Sequence, residues 1–270
     1  MHESQTHGYY LKRYMTSNQF RPGGFSLLPP VVKNLLIING LVFLATISVD
    51  KVFKIDLNAM FGLYYVGSDL FRPYQFITYM FLHGNLAHLF FNMFAFWMFG
   101  NAIENLWGPK RFLIYYFATG IGAAAFHQLI QFIEVQTVTN QLVAAGLDHM
   151  TIKEILATGR VNTDLFQYIP REKLQTLYGA FNFPTVGASG SVFGILLAFG
   201  MTFPNALIYL YFAIPVKAKW LVIGYGAIEL WAGFSNNPGD NVAHFAHLGG
   251  MIFGFILIQF WKNKNTNRWQ

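Results

Sequence analysis

A serine set among small residues is the first candidate for chemistry in this sequence. Ser189 lies in the segment Gly-Ala-Ser-Gly-Ser at 187–191, at the start of an apolar run that ends near Phe203. A serine hydroxyl is a weak nucleophile and needs a base within hydrogen-bond reach before it can attack a carbonyl carbon. The segment is not the Gly-x-Ser-x-Gly nucleophile elbow, because its fifth residue is Ser191 and no strand precedes it. The alternative is that Ser189 bonds its own backbone while the glycines only pack helices.

His247 is the candidate base for Ser189. It begins a second apolar run and shares one helix face with small residues three and seven positions later. The run that follows Ser189 has a matching pair, and small residues allow membrane helices to approach closely. The two pairs are Gly190 with Gly194, and Gly250 with Gly254. Contact between these faces would bring the Ser189 hydroxyl near the imidazole, which favours nucleophilic catalysis over packing alone.

His88 and Asn92 are candidate donors to a developing oxyanion. They are four residues apart, so they share one face of a predicted helix. Acyl transfer needs hydrogen-bond donors aimed at the oxygen that becomes charged. Polar side chains also join helices inside membranes, at about 0.6–2 kcal/mol per bond. The spacing alone does not separate these two roles.

Four histidines begin apolar runs that would reach the same side of a membrane. They are His83, His88, His244 and His247. Such a group could bind a metal ion. However, the His-Glu-x-x-His pattern is absent and no carboxylate lies between the paired histidines. We therefore expect no metal and no organic cofactor, and we expect His83 and His244 to orient neighbouring side chains or loops.

The composition indicates a membrane protein. The 270 residues are 54% apolar and only 11% charged, with a mean hydropathy of +0.37, whereas soluble domains carry about 25% charged residues. The absence of cysteine excludes disulfides, thiolate metal sites and a cysteine nucleophile. The net charge of +6 forms no basic stripe, so the excess of positive residues in cytoplasmic loops explains it better than nucleic-acid binding does.

The sequence predicts an all-α membrane protein with six spans. The predicted spans are Val31–Val49, Leu86–Leu106, Phe112–Ile133, Gly187–Phe203, Trp220–Phe234 and His244–Trp261. Residues 1–30 are predicted to be a cytoplasmic segment, 31–261 the six-helix domain, and 262–270 a cytoplasmic tail. Most lysines and arginines near span ends fall on the side of the two termini, which places both termini in the cytoplasm.

Two connections are expected to be structured. Residues 50–81 mix charges with aromatic residues, a composition typical of the membrane–water interface. Residues 134–185 form an extracytoplasmic insertion with two short helices. The first of these helices is predicted to begin at a capping box at 151–154 and to end at Gly159. The second is predicted to begin at Pro170 and to end at Gly179.

Two acidic residues lie in or beside the predicted spans. Glu104, near Lys110 and Arg111, is interpreted as a structural cap or salt-bridge partner on the cytoplasmic side. Glu229 lies inside the fifth span, where a carboxyl group in lipid is costly. It should therefore face another helix or a water-filled cavity, and we interpret it as structural or gating rather than catalytic.

Together the motifs resemble those of the rhomboid intramembrane serine proteases. The matching pieces are Gly-Ala-Ser-Gly at 187–190, His-x-x-x-Asn at 88–92, Ala-His-Leu-Gly-Gly at 246–250, Phe-Arg at 71–72, and Glu104 with Gly108. The resemblance implies a six-helix fold and a Ser189–His247 dyad without an aspartate. It implies an oxyanion hole made by His88, Asn92 and the Ser189 N–H. It also implies hydrolysis of peptide bonds in or near transmembrane segments of other membrane proteins, which together with membrane lipids would be the partners.

Three features depart from the family pattern. Phe193 stands where the family often has a tyrosine that stacks on the histidine, and Phe71 replaces a tryptophan. The third departure is the long insertion, which enters Ser189 from the external side and is expected to cap the site or restrict substrates. Gly187, Gly190 and Gly250 are expected to support the site.

Two rival functions are weighed against proteolysis. One is a catalytically inactive, rhomboid-like protein that binds client membrane helices, although the intact Ser189 and His247 disfavour it. The other is a transporter with a histidine-lined path, but 94–99 and 252–258 are apolar and offer no polar route across the membrane. The short termini and the lack of a transit-peptide pattern predict a bacterial inner membrane.

Overall fold

A computed structural model describes residues 26–210, 213–235 and 243–266 of the chain. Most of the predicted cytoplasmic segment 1–30, most of the turn after the fifth predicted span, and the end of the tail 262–270 lie outside these residues. The described part is mainly helical. Its α-helices are α1 Pro30–Phe53, α2 Leu57–Phe61, α3 Gln75–Thr78, α4 Leu86–Trp107, α5 Pro109–Ala144, α6 His149–Thr158, α7 Arg171–Asn182, α8 Ser189–Thr202, α9 Ala218–Ser235 and α10 His244–Thr266.

Helix α8 forms the centre of the molecule. It packs against α4, α5, α9 and α10, and α10 also packs along α5. Most of the α8 side chains are buried. The large aromatic residues of the core surround it, among them Phe96 and Tyr116, both with 1% of their surface exposed. Ser189, the first residue of α8, therefore lies where several helices converge.

The outer helices expose apolar side chains instead of charges. On α9, Trp231 is 74% and Phe234 73% exposed, and α1, α4 and α10 present similar faces. Such exposure suits lipid rather than water. By length and composition, four helices in the described part could cross a membrane: α1, α4, α5 and 244–262 of α10. The apolar α8 is shorter, with 14 residues, and α9 is not among the four, so six spans remain a prediction.

Glu104 caps the start of α1. Its two carboxylate oxygens accept the backbone N–H groups of Val31 and Val32, at 2.9 and 2.7 Å. Pro30, which has no N–H to satisfy, opens the helix. The prediction of a structural cap is confirmed, and the N–H groups that it caps belong to α1. The neighbouring Arg111 instead lies over the rings of Trp107 and Trp261.

The insertion is structured, but its boundaries differ from the expected ones. Helix α5 continues past Ile133 to Ala144, and its 36 residues span about 54 Å at 1.5 Å per residue, longer than the ~30 Å hydrocarbon core. Helix α6 begins earlier than predicted because Asp148 caps it by accepting the Thr151 N–H, and it ends at Gly159 as expected. Helix α7 passes through Gly179, which is tolerated inside a helix at a small cost.

The insertion has an apolar cluster of its own. Tyr65, from the 50–81 connection, is part of this cluster, so the two connections pack together. The other buried members are Val135, Val138, Leu142, Ile152, Ile169, Leu174, Leu177 and Ala180. An isolated bridge between Leu63 and Thr185, and a hydrogen bond from the Ser68 hydroxyl to the Phe181 carbonyl (2.7 Å), complete the attachment.

A two-stranded ribbon departs from the all-α expectation. Strands β1 (Leu207–Leu210) and β2 (Ile214–Lys217) pair antiparallel between α8 and α9. Pro204 and Pro215 cannot continue a helix, and the β-branched and aromatic residues between them favour extended backbone. The prolines were visible in the sequence, and they indicate why this stretch leaves the helical pattern.

Candidate active site

Two glycines bring the backbones of α8 and α10 into contact. A Cβ atom built on Gly250 would overlap the carbonyl oxygen of Gly190. Gly190 also faces Ala123 of α5, whose Cβ would lie 2.5 Å from a Cβ at Gly190. The other two glycines of the predicted pairs meet α5 as well, with Gly194 against Thr119 and Gly254 against Tyr115. The predicted close approach of the two helices is thus present. Helix α5 packs against the other glycines of the two pairs.

This contact places Ser189 beside His247. The Ser189 Oγ lies 2.8 Å from Nε2 of His247, a hydrogen-bond distance at which the imidazole can remove the hydroxyl proton. Gly187, two residues before the serine, has a φ of +133°, which L side chains rarely adopt. A Cβ there would also lie 2.9 Å from Nε2 of His88. Glycine at 187 therefore permits both the turn into α8 and the approach of His88.

Phe193 stacks on the imidazole of His247. The ring centroids are 4.2 Å apart and the planes differ by 8°. Tyr225 of α9 lies against Phe193, with the ring centroids 6.1 Å apart and the ring planes nearly perpendicular. The stack holds the plane of the imidazole. Because a phenyl ring has no polar atom, it cannot determine which nitrogen of His247 carries the proton.

A carboxylate lies next to His247, contrary to the expectation of a base without one. The Oε2 atom of Glu229 is 2.9 Å from Nδ1 of His247 and 2.6 Å from Nδ1 of His244. The contact with His244 is a hydrogen bond. The approach to His247 is within hydrogen-bond distance but lies off the axis of an Nδ1–H bond, so it is an electrostatic contact rather than an aligned hydrogen bond. Glu229 is buried, with 7% of its surface exposed.

The sequence held a signal for this contact. A carboxyl group inside an apolar helix needs proton donors, and α9 is followed after a short connection by α10, which begins with two histidines. Glu229 lies near the end of α9, at the level of His244 and His247 at the start of α10. Consecutive helices that run in opposite directions bring such positions together.

His88 and Asn92 occupy α4 as predicted. The Gly84 N–H points at Nδ1 of His88 over 3.4 Å, an arrangement that leaves the proton on Nε2, the nitrogen that faces Gly187. That N–H can therefore donate toward the space beside Ser189. Asn92 lies one turn further along α4 and is buried. Within the described residues its amide has no hydrogen-bond partner, so it too is available as a donor.

His83 lies behind His88 rather than at the serine. Its ring is 5.1 Å from that of His88 in an edge-on arrangement, and only 1% of the residue is exposed. Burial, followed by the proximity of His88, lowers the pKa of His83 to about 4. A neutral ring at this position supports His88 by packing, in line with the predicted orienting role.

Three side chains have the chemistry to bind a metal ion. The nearest ligand atoms of Glu229, His244 and His247 lie within 4.8 Å of one another. The carboxylate–imidazole separations of 2.6 and 2.9 Å are, however, hydrogen-bond distances, whereas zinc would lie between its ligands at about 2.0–2.2 Å from each. The arrangement as it stands is that of ion pairs and hydrogen bonds.

Comparison with known proteins identifies the family. Residues 70–263 match the sequence profile of the rhomboid domain. The chain belongs to the rhomboid family. The match includes α4, α5, α8, α9 and α10, together with every candidate site residue described above, so the expected resemblance is confirmed.

The relatives span plants, bacteria and yeast. RHOMBOID-like protein 12, mitochondrial, of Arabidopsis thaliana is 29% identical over 229 residues, 84% of this chain and 56% of that protein. Rhomboid protease GluP of Bacillus subtilis is 26% identical over 189 residues, 68% of this chain and 25% of that protein. Rhomboid protein 1, mitochondrial, of Saccharomyces cerevisiae is 26% identical over 179 residues, 65% of this chain and 38% of that protein. The chain thus spans about half or less of the length of these relatives.

The comparisons change the expectation about location. The plant and yeast relatives are named for mitochondria or chloroplasts. They do not support the prediction of a bacterial inner membrane. The apolar helices and the rhomboid domain support an integral membrane protein.

Proposed function

We propose that this rhomboid protein is an intramembrane serine endopeptidase that cleaves peptide bonds in or near transmembrane segments of other proteins. The observation that carries the proposal is the 2.8 Å separation between Ser189 Oγ and His247 Nε2, within a domain whose relatives include a protein named a rhomboid protease. A hydroxyl paired with an imidazole is the arrangement of an activated nucleophile.

The reaction follows from the positions of these groups. Ser189 attacks the scissile carbonyl carbon as Nε2 of His247 takes its proton. The Ser189 N–H lies in the first turn of α8, where backbone N–H groups have no partner inside the helix. This N–H, Nε2–H of His88 and the Asn92 amide would stabilise the oxyanion. His247 then protonates the leaving amine, and a water molecule activated by His247 releases the acyl group.

The site would be reached from the extracytoplasmic side. We propose the six predicted spans as α1, α4, α5, α8, α9 and α10, with both termini in the cytoplasm. The first turn of α8 would then face a water-filled depression, because lipid excludes both water and unpaired backbone. A substrate helix must unwind locally to expose its peptide bond, so small or helix-breaking residues are expected near the cut.

The insertion is proposed to restrict substrates. It leads directly into the turn at Gly187, and its attachment includes a contact between His127 Nε2 and the Thr185 hydroxyl (3.1 Å). Its own apolar cluster is separate from the main core. It could therefore change position or composition without unfolding the helices that hold the site.

The test uses purified protein in detergent or vesicles. Wild type, Ser189→Ala and His247→Ala are compared for cleavage of a fluorogenic transmembrane peptide and for labelling by a serine-directed phosphonate. We expect cleavage and labelling by the wild type, and neither by Ser189→Ala. Labelling of Ser189→Ala would refute the nucleophile assignment. A wild type that binds transmembrane peptides without labelling or cleavage would favour the inactive, client-binding alternative.

A further inference from the structure

Glu229 is a charged group in close contact with the candidate base. Its Oε2 atom lies 2.9 Å from Nδ1 of His247, and the opposite nitrogen of the same ring lies 2.8 Å from the Ser189 hydroxyl. The order hydroxyl, imidazole, carboxylate is therefore continuous. Its members come from α8, α10 and α9.

We propose that Glu229 is a positioning residue that makes this protein's dyad a serine–histidine–glutamate arrangement, with His244 holding the carboxylate in place. The proposal rests on the proposed function. Glu229 touches neither the substrate nor the nucleophile. It would act through His247, by fixing the proton on Nδ1 and by stabilising the imidazolium that forms when Nε2 takes the serine proton.

The tautomer of His247 determines whether the residue can act as a base. Nε2 of His247 can act as a base toward Ser189 only if it is unprotonated, and the proton must then be on Nδ1. A carboxylate can only accept, so a carboxylate at Nδ1 selects this tautomer. Phe193 stacks on the ring but has no polar atom. The stacking fixes the ring plane, and the carboxylate is needed to fix the proton.

The carboxylate of Glu229 is held in position by its surroundings. The Glu229 side chain is about nine-tenths buried, and its Oε2 is shared by two imidazoles, at 2.6 Å for His244 and 2.9 Å for His247. The His244 hydrogen bond restrains a group that would otherwise be free to rotate. The contact with His247 lies off the axis of an Nδ1–H bond, and catalytic hydrogen bonds often become aligned only in the complex with substrate.

Glu229 lies on the face of α9 that packs against the site. Tyr225 lies four residues earlier, on the same face of the helix, and its ring packs against Phe193. One face of α9 therefore supports the stacking ring and supplies the carboxylate. The outer face carries exposed apolar residues such as Trp231, so the carboxyl group is directed inward, away from lipid.

The main variant is Glu229→Gln, which keeps the size and removes the charge. We expect kcat to fall at least tenfold, with about 10⁴ as the upper bound seen when a triad carboxylate becomes an amide in soluble serine proteases, while KM changes less than twofold. Glu229→Asp should recover part of kcat because it retains a carboxylate. A kcat for Glu229→Gln within twofold of the wild type would overturn the proposal.

The matched control is Glu104→Gln. Glu104 is also a buried carboxylate, and it accepts two backbone hydrogen bonds, but it caps α1 away from the site. The Glu104→Gln substitution should lower the melting temperature without changing kcat per folded molecule. An equal loss of kcat in both variants, measured per folded molecule, would mean that the effect of Glu229 is structural and would overturn the proposal.

A spectroscopic measurement on the wild type does not depend on any variant of Glu229 folding. Nuclear magnetic resonance of protein with ¹⁵N-labelled histidine should show a downfield Nδ1 proton, identified by its loss in His247→Ala. Absence of a proton on Nδ1 would overturn the proposal.

Loss of wild-type cleavage in EDTA with recovery in zinc would also overturn the proposal, because Glu229 would then be a metal ligand. Labelling of Ser189→Ala by the phosphonate refutes the proposed function instead, so the two failures are distinct.

Discussion

Substituting Gly250 by alanine tests whether the helix contact makes the site. Beyond its overlap with the Gly190 carbonyl oxygen, the added Cβ would lie 2.7 Å from the carbonyl carbon and 3.2 Å from the Cα of Gly190. Carbon atoms in contact are ordinarily about 3.5–4.0 Å apart. These neighbours are backbone atoms and cannot rotate away, so α8 and α10 must separate by roughly 1 Å.

The expected loss follows from that displacement. His247 is three residues before Gly250 on α10 and moves with it, whereas Ser189 is adjacent to Gly190. A separation of roughly 1 Å would stretch the 2.8 Å contact between Nε2 and Oγ beyond hydrogen-bond range. Misplacement by 1 Å can cost a factor of about 10² in rate. Overpacking also destabilises by about 1–3 kcal/mol, which is small enough for the protein to remain folded.

The assay compares Gly250→Ala with Gly40→Ala. Gly40 lies in the middle of α1, and a Cβ there would meet nothing within 4 Å. We expect about a hundredfold loss of kcat/KM and of phosphonate labelling rate for Gly250→Ala, and no loss for Gly40→Ala, after both are corrected for the folded fraction. If Gly250→Ala keeps its activity within threefold, the glycine contact does not position the dyad and the reasoning fails.

Four further predictions concern the surroundings of the dyad. His88→Ala and Asn92→Ala should each lower kcat by roughly 10²–10³ if they bind the oxyanion, and losses below threefold at both would leave them as interhelical contacts. Phe193→Leu should lower kcat more than KM because the ring stack is lost, whereas Phe193→Tyr, which keeps the stack, should remain active. Deleting 138–182 should change which transmembrane peptides are cleaved, and an unchanged substrate range would contradict the proposed role. For His83, the depressed pKa of about 4 means that the unfolded chain binds more protons between pH 4 and 6.5. Stability should therefore fall by up to about 3 kcal/mol as the pH drops through that range, and melting curves of His83→Gln should lack this part of the pH dependence.

The site could be predicted from the sequence because its determinants are short motifs at helix starts. The pairing of Ser189 with His247 required only that two small-residue faces meet, and the structure shows Gly190 against Gly250. The stack of Phe193 on His247 is expected only from the resemblance to the rhomboid family, in which a tyrosine at this position often stacks on the histidine. Helix periodicity and glycine spacing are enough to predict the close approach of the two helices.

The remaining features depend on contacts that no periodic pattern encodes. The extension of α5 to Ala144 depends on Val138 and Leu142 packing in the insertion's own cluster, and the polar composition of that stretch conceals it. Pro204 precedes the strands 207–210 and 214–217 and Pro215 lies in the second of them, and the effect of these prolines on the fold depends on strand pairing. A carboxyl group inside an apolar helix makes Glu229 anomalous in the sequence, and the order of α9 and α10 points to the histidines, but which imidazole nitrogens it meets depends on how the two helices pack.

The three supports of His247 restrict different degrees of freedom, and this explains why a phenylalanine can occupy position 193. The Gly190–Gly250 contact sets the distance between the helices, and the ring of Phe193 sets the imidazole plane. Neither determines rotation within that plane or the choice of protonated nitrogen. A tyrosine hydroxyl is a polar group that could assist there, and Phe193 lacks one. The buried carboxylate of Glu229, 2.9 Å from Nδ1, restricts both remaining variables. On this reasoning Phe193 and Glu229 are coupled: Phe193→Tyr should partly offset the kcat loss of Glu229→Gln, and strictly additive effects in the double variant would show that the two residues act independently.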